Sequence, residues 1–171
     1  MTHEYSDIIS VPGGTGTSYL MRTDVITFKV TSEETHGTVL LLEATVPPQG
    51  GPPLHTHPEQ ETFYILEGTF EIQGIRDQRL YTTQATQGSA VTIHPNAPHA
   101  YKNVGTTPGK LLALFTPATI QGFFEEVGEA ITDPSNPPTP SNSPETIARF
   151  INIGKKYHFE VVQPPRERYS E

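Results

Sequence analysis

Two histidines and a glutamate, His55, His57 and Glu61, fall in the stretch His-Thr-His-Pro-Glu-Gln-Glu. In an extended chain, residues of like parity point to the same side. Two neutral imidazoles and a carboxylate aimed at one point form a donor set for a divalent transition metal. Taken alone, the three residues fit a solvated loop equally well. The elements that carry them have to decide between the two.

Upstream, Pro-Pro-Gln-Gly-Gly-Pro-Pro at 47–53 cannot join a sheet centrally, because proline donates no ladder hydrogen bond. It reads as a stiff loop delivering His55 and His57. Alternating or apolar runs predict strands at 25–30, 38–46, 62–66, 69–72, 90–93 and 111–115. Glu67-Gly68 is the turn of a hairpin, residues 74–78 form another turn, and 80–83 is a short edge strand. About eight short strands joined by turns indicate a sandwich or barrel. A second stretch, from Gly88 through a strand and the turn Pro95-Asn-Ala-Pro98, delivers His99 at the start of a further strand. If that strand neighbours the one after His57, a metal gains His55, His57, Glu61 and His99. One or two coordination positions then stay open, as catalysis requires.

In their spacing the two stretches resemble the paired motifs of the cupin family. The first reads His55-x-His57, three residues, Glu61, six residues, Gly68; the second reads Gly88, His99, Asn103. The resemblance covers roughly residues 38–117. It implies a double-stranded β-helix, the jelly-roll cupin barrel, within an all-β fold carrying a short C-terminal helical extension. It also implies one divalent transition metal per chain on His55, His57, Glu61 and His99, with iron, manganese, nickel, copper and zinc all compatible with such donors. Two departures concern loop shape. Gln49 stands where the first motif has glycine, and His94-Pro95-Asn96 replaces Pro-x-Gly in the second, where Asn is the residue that best substitutes for Gly at positive φ. The flanking segments, among them Leu-Leu-Ala-Leu-Phe-Thr-Pro followed by Gly122-Phe-Phe-Glu-Glu, are similar to small single-domain cupins that include bacterial quercetin 2,3-dioxygenase-like proteins.

That similarity implies a dioxygenase acting with dioxygen on a flavonol or other hydroxylated aromatic, with Glu61 as general base. The alternatives are a metal-dependent isomerase or lyase of a small polar substrate and a small-molecule-binding cupin without turnover. A homodimer is also implied. Gly68 and Gly88 are expected to meet backbone requirements and Asn103 to stabilise a turn. Phe63, Ile65 and Tyr101 share parity with the ligands and either line the cavity or pack the core. Phe28, Phe123 and Phe124 read as packing, His94 as structural, and His3, His36 and His158 as solvated.

The 171-residue chain fits one domain with peripheral segments. These are an arm at 1–24, the barrel with a following short helix at 25–130, a proline-rich linker at 131–143, a helix at 144–160 with Ser143 as N-cap, and a tail at 161–171. The helix is expected to pack on the barrel or on a partner subunit. A net charge of -8 without a basic run argues against nucleic acid or an anionic membrane as partner. With no cysteine, disulfides, thiolate metal sites and a cysteine nucleophile are excluded. The first ten residues lack a basic region followed by an apolar one, so the expected setting is cytoplasmic.

Overall fold

A computed structural model describes residues 8–141 and 143–165. Two antiparallel sheets face each other across a shared apolar core. The larger holds β1 (Ser18–Met21), β2 (Asp24–Val30), β3 (Leu40–Val46), β5 (Gln60–Glu67), β8 (Ala90–Ile93), β10 (Gly109–Thr116) and β11 (Glu129–Ile131), in the order β11-β1-β2-β3-β10-β5-β8. The smaller holds β4 (His55–Thr56), β6 (Thr69–Arg76), β7 (Arg79–Thr86), β9 (His99–Asn103) and β12 (Glu160–Val161), in the order β12-β4-β9-β6-β7. The expected all-β jelly roll is the observed class.

Strict alternation builds the sandwich. In β3 and β10 every second residue is buried, so Leu40, Leu42, Ala44 and Val46 meet Leu111, Ala113 and Phe115 in the core. Phe70, Ile72 and Ala85 close the core from the smaller sheet. Burying each such side chain stabilises the fold by roughly 1.5–3 kcal/mol for the larger ones.

The strands are longer and more numerous than the sequence predicts. The hairpin expected to turn at 74–78 turns at Asp77 and Gln78, both with positive φ (49° and 60°), and β6 and β7 run eight residues each. Gly74 lies inside β6, where the Tyr81 ring takes the space that a side chain would need. Strand β1 falls within the residues expected as an arm; it pairs with both β2 and β11. Strands β4 and β12 are two residues each, too short for periodicity to reveal.

Two helices follow β10: α1 (Gln121–Val127) and α2 (Pro144–Lys156). Ser143 caps α2 as expected, its hydroxyl accepting from the Thr146 N–H at 3.3 Å, with Pro144 at the first turn. The helix packs on the same chain: Phe150 and Phe123 meet edge to face, Arg149 donates to the Val127 and Glu126 carbonyls, and Lys156 and the Tyr157 hydroxyl bind the Glu126 carboxylate. Beyond it, β12 joins β4, placing Val161 opposite His55. Among the described residues no helix is long and apolar enough to cross a membrane. His3 and residues 166–171 of the expected tail lie outside the described residues.

Candidate metal centre

His55 and His99 are direct cross-strand neighbours on β4 and β9, so their side chains leave the smaller sheet side by side, with ring centroids 4.3 Å apart. His57 follows β4, and Glu61 reaches in from β5 of the opposite sheet. The four ligand atoms lie within 4.8 Å of one another, and all four residues are buried. Glu61 Oε2 is 3.1 Å from His57 Nε2 and 2.9 Å from His99 Nε2. Donors held ~2.1 Å from a common ion and at right angles are separated by about 3.0 Å, so this spacing suits a metal polyhedron.

In the loops that deliver these side chains, the left-handed conformation expected at Asn96 is present, and Gln49 adopts one that was not expected. Asn96 has φ 61° and Gln49 φ 65°, so both stand in left-handed conformations in place of the motif glycines. The Gln49 N–H then binds the Asn103 carbonyl and the Asn103 N–H the Gly50 carbonyl, tying the proline-rich loop to β9. Asn103 is fully buried. Its amide donates to the Val46 and Thr107 carbonyls and its oxygen accepts from the Gly105 N–H, more than the single turn expected of it.

Each imidazole is oriented from behind. His55 Nδ1 faces the Pro53 carbonyl at 2.8 Å and His99 Nδ1 the Ala97 carbonyl at 2.8 Å, so each carbonyl can hold the Nδ1 proton when Nε2 gives up its own to an ion. His57 differs. Its Nδ1 lies 3.2 Å from Glu59 Oε2, in an ion-pair contact without hydrogen-bond alignment, and both atoms are buried without a hydrogen-bond partner. The other oxygen of Glu59 accepts from the Thr119 hydroxyl.

The charge states follow from these contacts. Burial pushes His55 well below its ordinary value, reinforced by His99, so it is a neutral ligand. Burial also works against His57 as a cation, but Glu59 and Glu61 override it and raise its pKa to about 9. For Glu61, burial opposes ionisation, and hydrogen bonds and charge from His57 and His99 bring it down to about 2. The donor set is therefore anionic oxygen plus nitrogens whose protons an ion can replace, and it fits a divalent transition metal.

A cavity of about 70 Å³ opens on His55, His57 and Glu61. Phe115, Phe123, Phe124 and Phe159 supply much of its wall, and Arg22, Asp24 and Tyr101 supply its other polar groups. Phe159 stacks on His55 at 4.3 Å and 18°, and Phe123 lies on its far side at 4.5 Å. Of the residues expected to line the cavity or pack, Tyr101 lines it while Phe63 and Ile65 are core. Phe123 and Phe124 line it as well as packing, whereas Phe28 packs. His94 is exposed just before the 95–98 turn and takes no part in the donor group. His158 and His36 are both exposed, as expected.

Four participants were not anticipated: Glu59, Arg22, Asp24 and Phe159. For Glu59 a signal existed, since the parity that aligns 55, 57 and 61 includes 59. Phe159 gives none; it arrives from some hundred residues away through the fold.

A two-sheet jelly roll holding three histidines and a glutamate between its sheets defines the class. Residues 42–115, spanning β3 to β10, match the Cupin domain family. Solved structures of the same architecture include a predicted oxalate decarboxylase from Thermotoga maritima (18% identity over 64% of this chain and 99% of that one, TM-score 0.57). An RmlC-like cupin from Shewanella frigidimarina is also similar (17%, 66% and 93%, TM-score 0.54). So is an oxalate oxidase in complex with the substrate analogue glycolate (21%, 58% and 53%, TM-score 0.50), about half of whose length this chain spans. None of the curated proteins matches by sequence. The matched segment carries all four donors, and the solved structures share the fold of the chain around it.

Proposed function

We propose that the protein is a metal-dependent dioxygenase of a hydroxylated, planar substrate. The observation that carries this reading is the buried group of three imidazoles and one carboxylate opening onto a cavity walled by aromatic rings. His55, His57, Glu61 and His99 would hold the ion, and when bound it supplies a positive centre that makes a substrate hydroxyl more acidic. Glu61, placed on the cavity wall, accepts the hydroxyl proton and is the candidate catalytic residue. Dioxygen adds to the ionised substrate, both of its oxygen atoms enter the product as a carbon–carbon bond breaks, and no external reductant is consumed. The proton on Glu61 returns to the product. The phenylalanines keep water from the ionised substrate.

With a water's share of liquid volume near 30 Å³, the cavity as it stands holds two or three waters. A ring therefore enters by displacing them and shifting Phe159 from His55; a three-ring flavonol needs a larger shift than a single phenol. The same small volume favours, as a second reading, an isomerase or lyase acting on a small polar substrate without oxygen.

Oxygen-electrode measurements on protein loaded in turn with iron, manganese, nickel, copper or zinc, using quercetin and single-ring phenols, test the proposal. Oxygen uptake matching substrate loss supports it. Substrate loss at the same rate under anaerobic conditions rejects it in favour of the second reading. A cytoplasmic homodimer belongs to the same proposal, and light scattering on the purified chain checks the dimer.

A further inference from the structure

Arg22 opens the two-residue turn between β1 and β2, where Met21 pairs with Asp24. Its φ is 57°, a left-handed conformation that a long side chain adopts only at a cost and that Asn or Gly adopts readily. Strain of this kind persists where the surroundings or a function demand it. The side chain folds inward, half-buried, with Cζ 5.7 Å from the centre of the Phe150 ring. Its Nε is buried and has no hydrogen-bond partner among the described residues. Arg22 lines the same cavity as His55, His57 and Glu61. Beside it, the Asp24 carboxylate is already engaged by the Tyr101 hydroxyl at 2.9 Å, the Thr23 hydroxyl at 2.8 Å and the Gly51 N–H. A permanent cation with an unspent buried donor thus stands on the wall of a cavity that the donor cluster also lines.

We infer that Arg22 holds a carboxylate of the substrate, so that the molecule taken by the site is a hydroxylated carboxylic acid with its hydroxyl toward Glu61 and its carboxylate on the guanidinium. The planar guanidinium presents paired donors that match a carboxylate, and a buried charge-assisted pair is stronger than a neutral hydrogen bond. The inference rests on the reading that the site takes a hydroxylated substrate, and it names which one.

Calorimetric titration of the zinc-loaded full chain with 3- and 4-hydroxybenzoate, and with the two matching neutral amides, tests it without turnover. The acids are expected to bind at least tenfold more tightly than the amides, and Arg22→Asn to weaken them by roughly ten- to a hundredfold while leaving the amides unchanged. Arg22→Lys should retain part of the preference. Because Asn accepts the left-handed turn, Arg22→Asn should melt at the same temperature as wild type or higher. Acids that fail to bind, that bind no better than amides, or that ignore Arg22→Asn overturn the inference. So does an equal loss for acids and amides with a lower Tm, which makes Arg22 a strut against Phe150. Oxygen uptake without acid preference rejects this subsite and leaves the dioxygenase standing; acid preference without oxygen uptake does the reverse.

Discussion

Glu61 and Asp24 are buried carboxylates on the wall of one cavity, and their surroundings drive them apart. Burial opposes the charge of both. At Glu61 two imidazoles 2.9 and 3.1 Å away override it, and the pKa settles at about 2. At Asp24 burial wins: hydrogen bonds from Thr23, Tyr101 and Gly51 and the charge of Arg22 offset it only in part, and the pKa rises to about 6. Neighbours rather than depth therefore decide which end of the cavity carries fixed negative charge. The histidine end is built to stay anionic and accept a cation. Asp24 gives up its charge as the pH falls below about 6, leaving the Arg22 cation beside it with donors to spare.

The sharpest way to break this contrast is to remove an imidazole. His55→Ala or His99→Ala should drop bound metal from near one ion per chain to a small fraction of that, measured by elemental analysis of protein purified without added metal. Asp24→Asn, at the other end, should leave occupancy as it was. Full occupancy in both histidine variants overturns the ligand assignment.

The two ends are also covered differently. Phe159 lies flat on His55 and is fixed between Phe123 and Phe150. Phe159→Ala should cost about 3–5 kcal/mol in denaturant unfolding, as for a buried phenylalanine elsewhere. It should also open the histidine end to larger phenols, read as tighter binding of quercetin relative to a single-ring phenol. A variant that loses stability and keeps its metal shows that the roof and the donors are separable.

Asp24→Asn probes the other member of the pair. The folded pKa lies above the unfolded value near 3.8, so the protonated form is favoured on folding. The stability it contributes is complete below pH 4 and lost as pH rises through about 6. Wild type should therefore weaken relative to Asp24→Asn by about 2–3 kcal/mol across that window, seen in urea unfolding at stepped pH. Parallel curves for the two proteins mean that Asp24 ionises freely and that the contrast with Glu61 is absent.

How much of this was legible in the sequence depends on distance along the chain. The donors at 55, 57 and 61 share a parity, and His99 is marked by the glycine and proline turn before it; strand alternation gave a sandwich or barrel, and the resemblance of the two spaced motifs to a known family supplied the jelly roll. Asn96 at positive φ followed from its standing where the resembled motif has glycine, together with the tolerance of Asn for that conformation. What escaped was set by contacts that no local pattern encodes. Residues 22 and 24 read as part of an arm because β1 is only four residues long and is held by a distant partner, β11. Phe159 reaches His55 because β12 adds to β4, an edge pairing of two residues. The 74–78 turn was misplaced because Gly74 marks a close ring contact instead of a bend.

Glu59 gives the finest test, because it separates the three imidazoles. His55 and His99 rest on backbone carbonyls, which no side-chain substitution removes, while His57 rests on a carboxylate that is itself 1% exposed. Glu59→Gln keeps the shape and an oxygen for Thr119 but deletes the charge. If that charge holds His57 ready for an ion, chelator competition should show metal bound about ten- to a hundredfold more weakly, with the pKa of His57 in metal-free protein falling from about 9. The loss should be smaller than that from deleting any imidazole, since the ligand itself stays. An unchanged affinity with a weaker fold would make Glu59 an anchor for Thr119, and the anionic character of the histidine end would then rest on Glu61 alone.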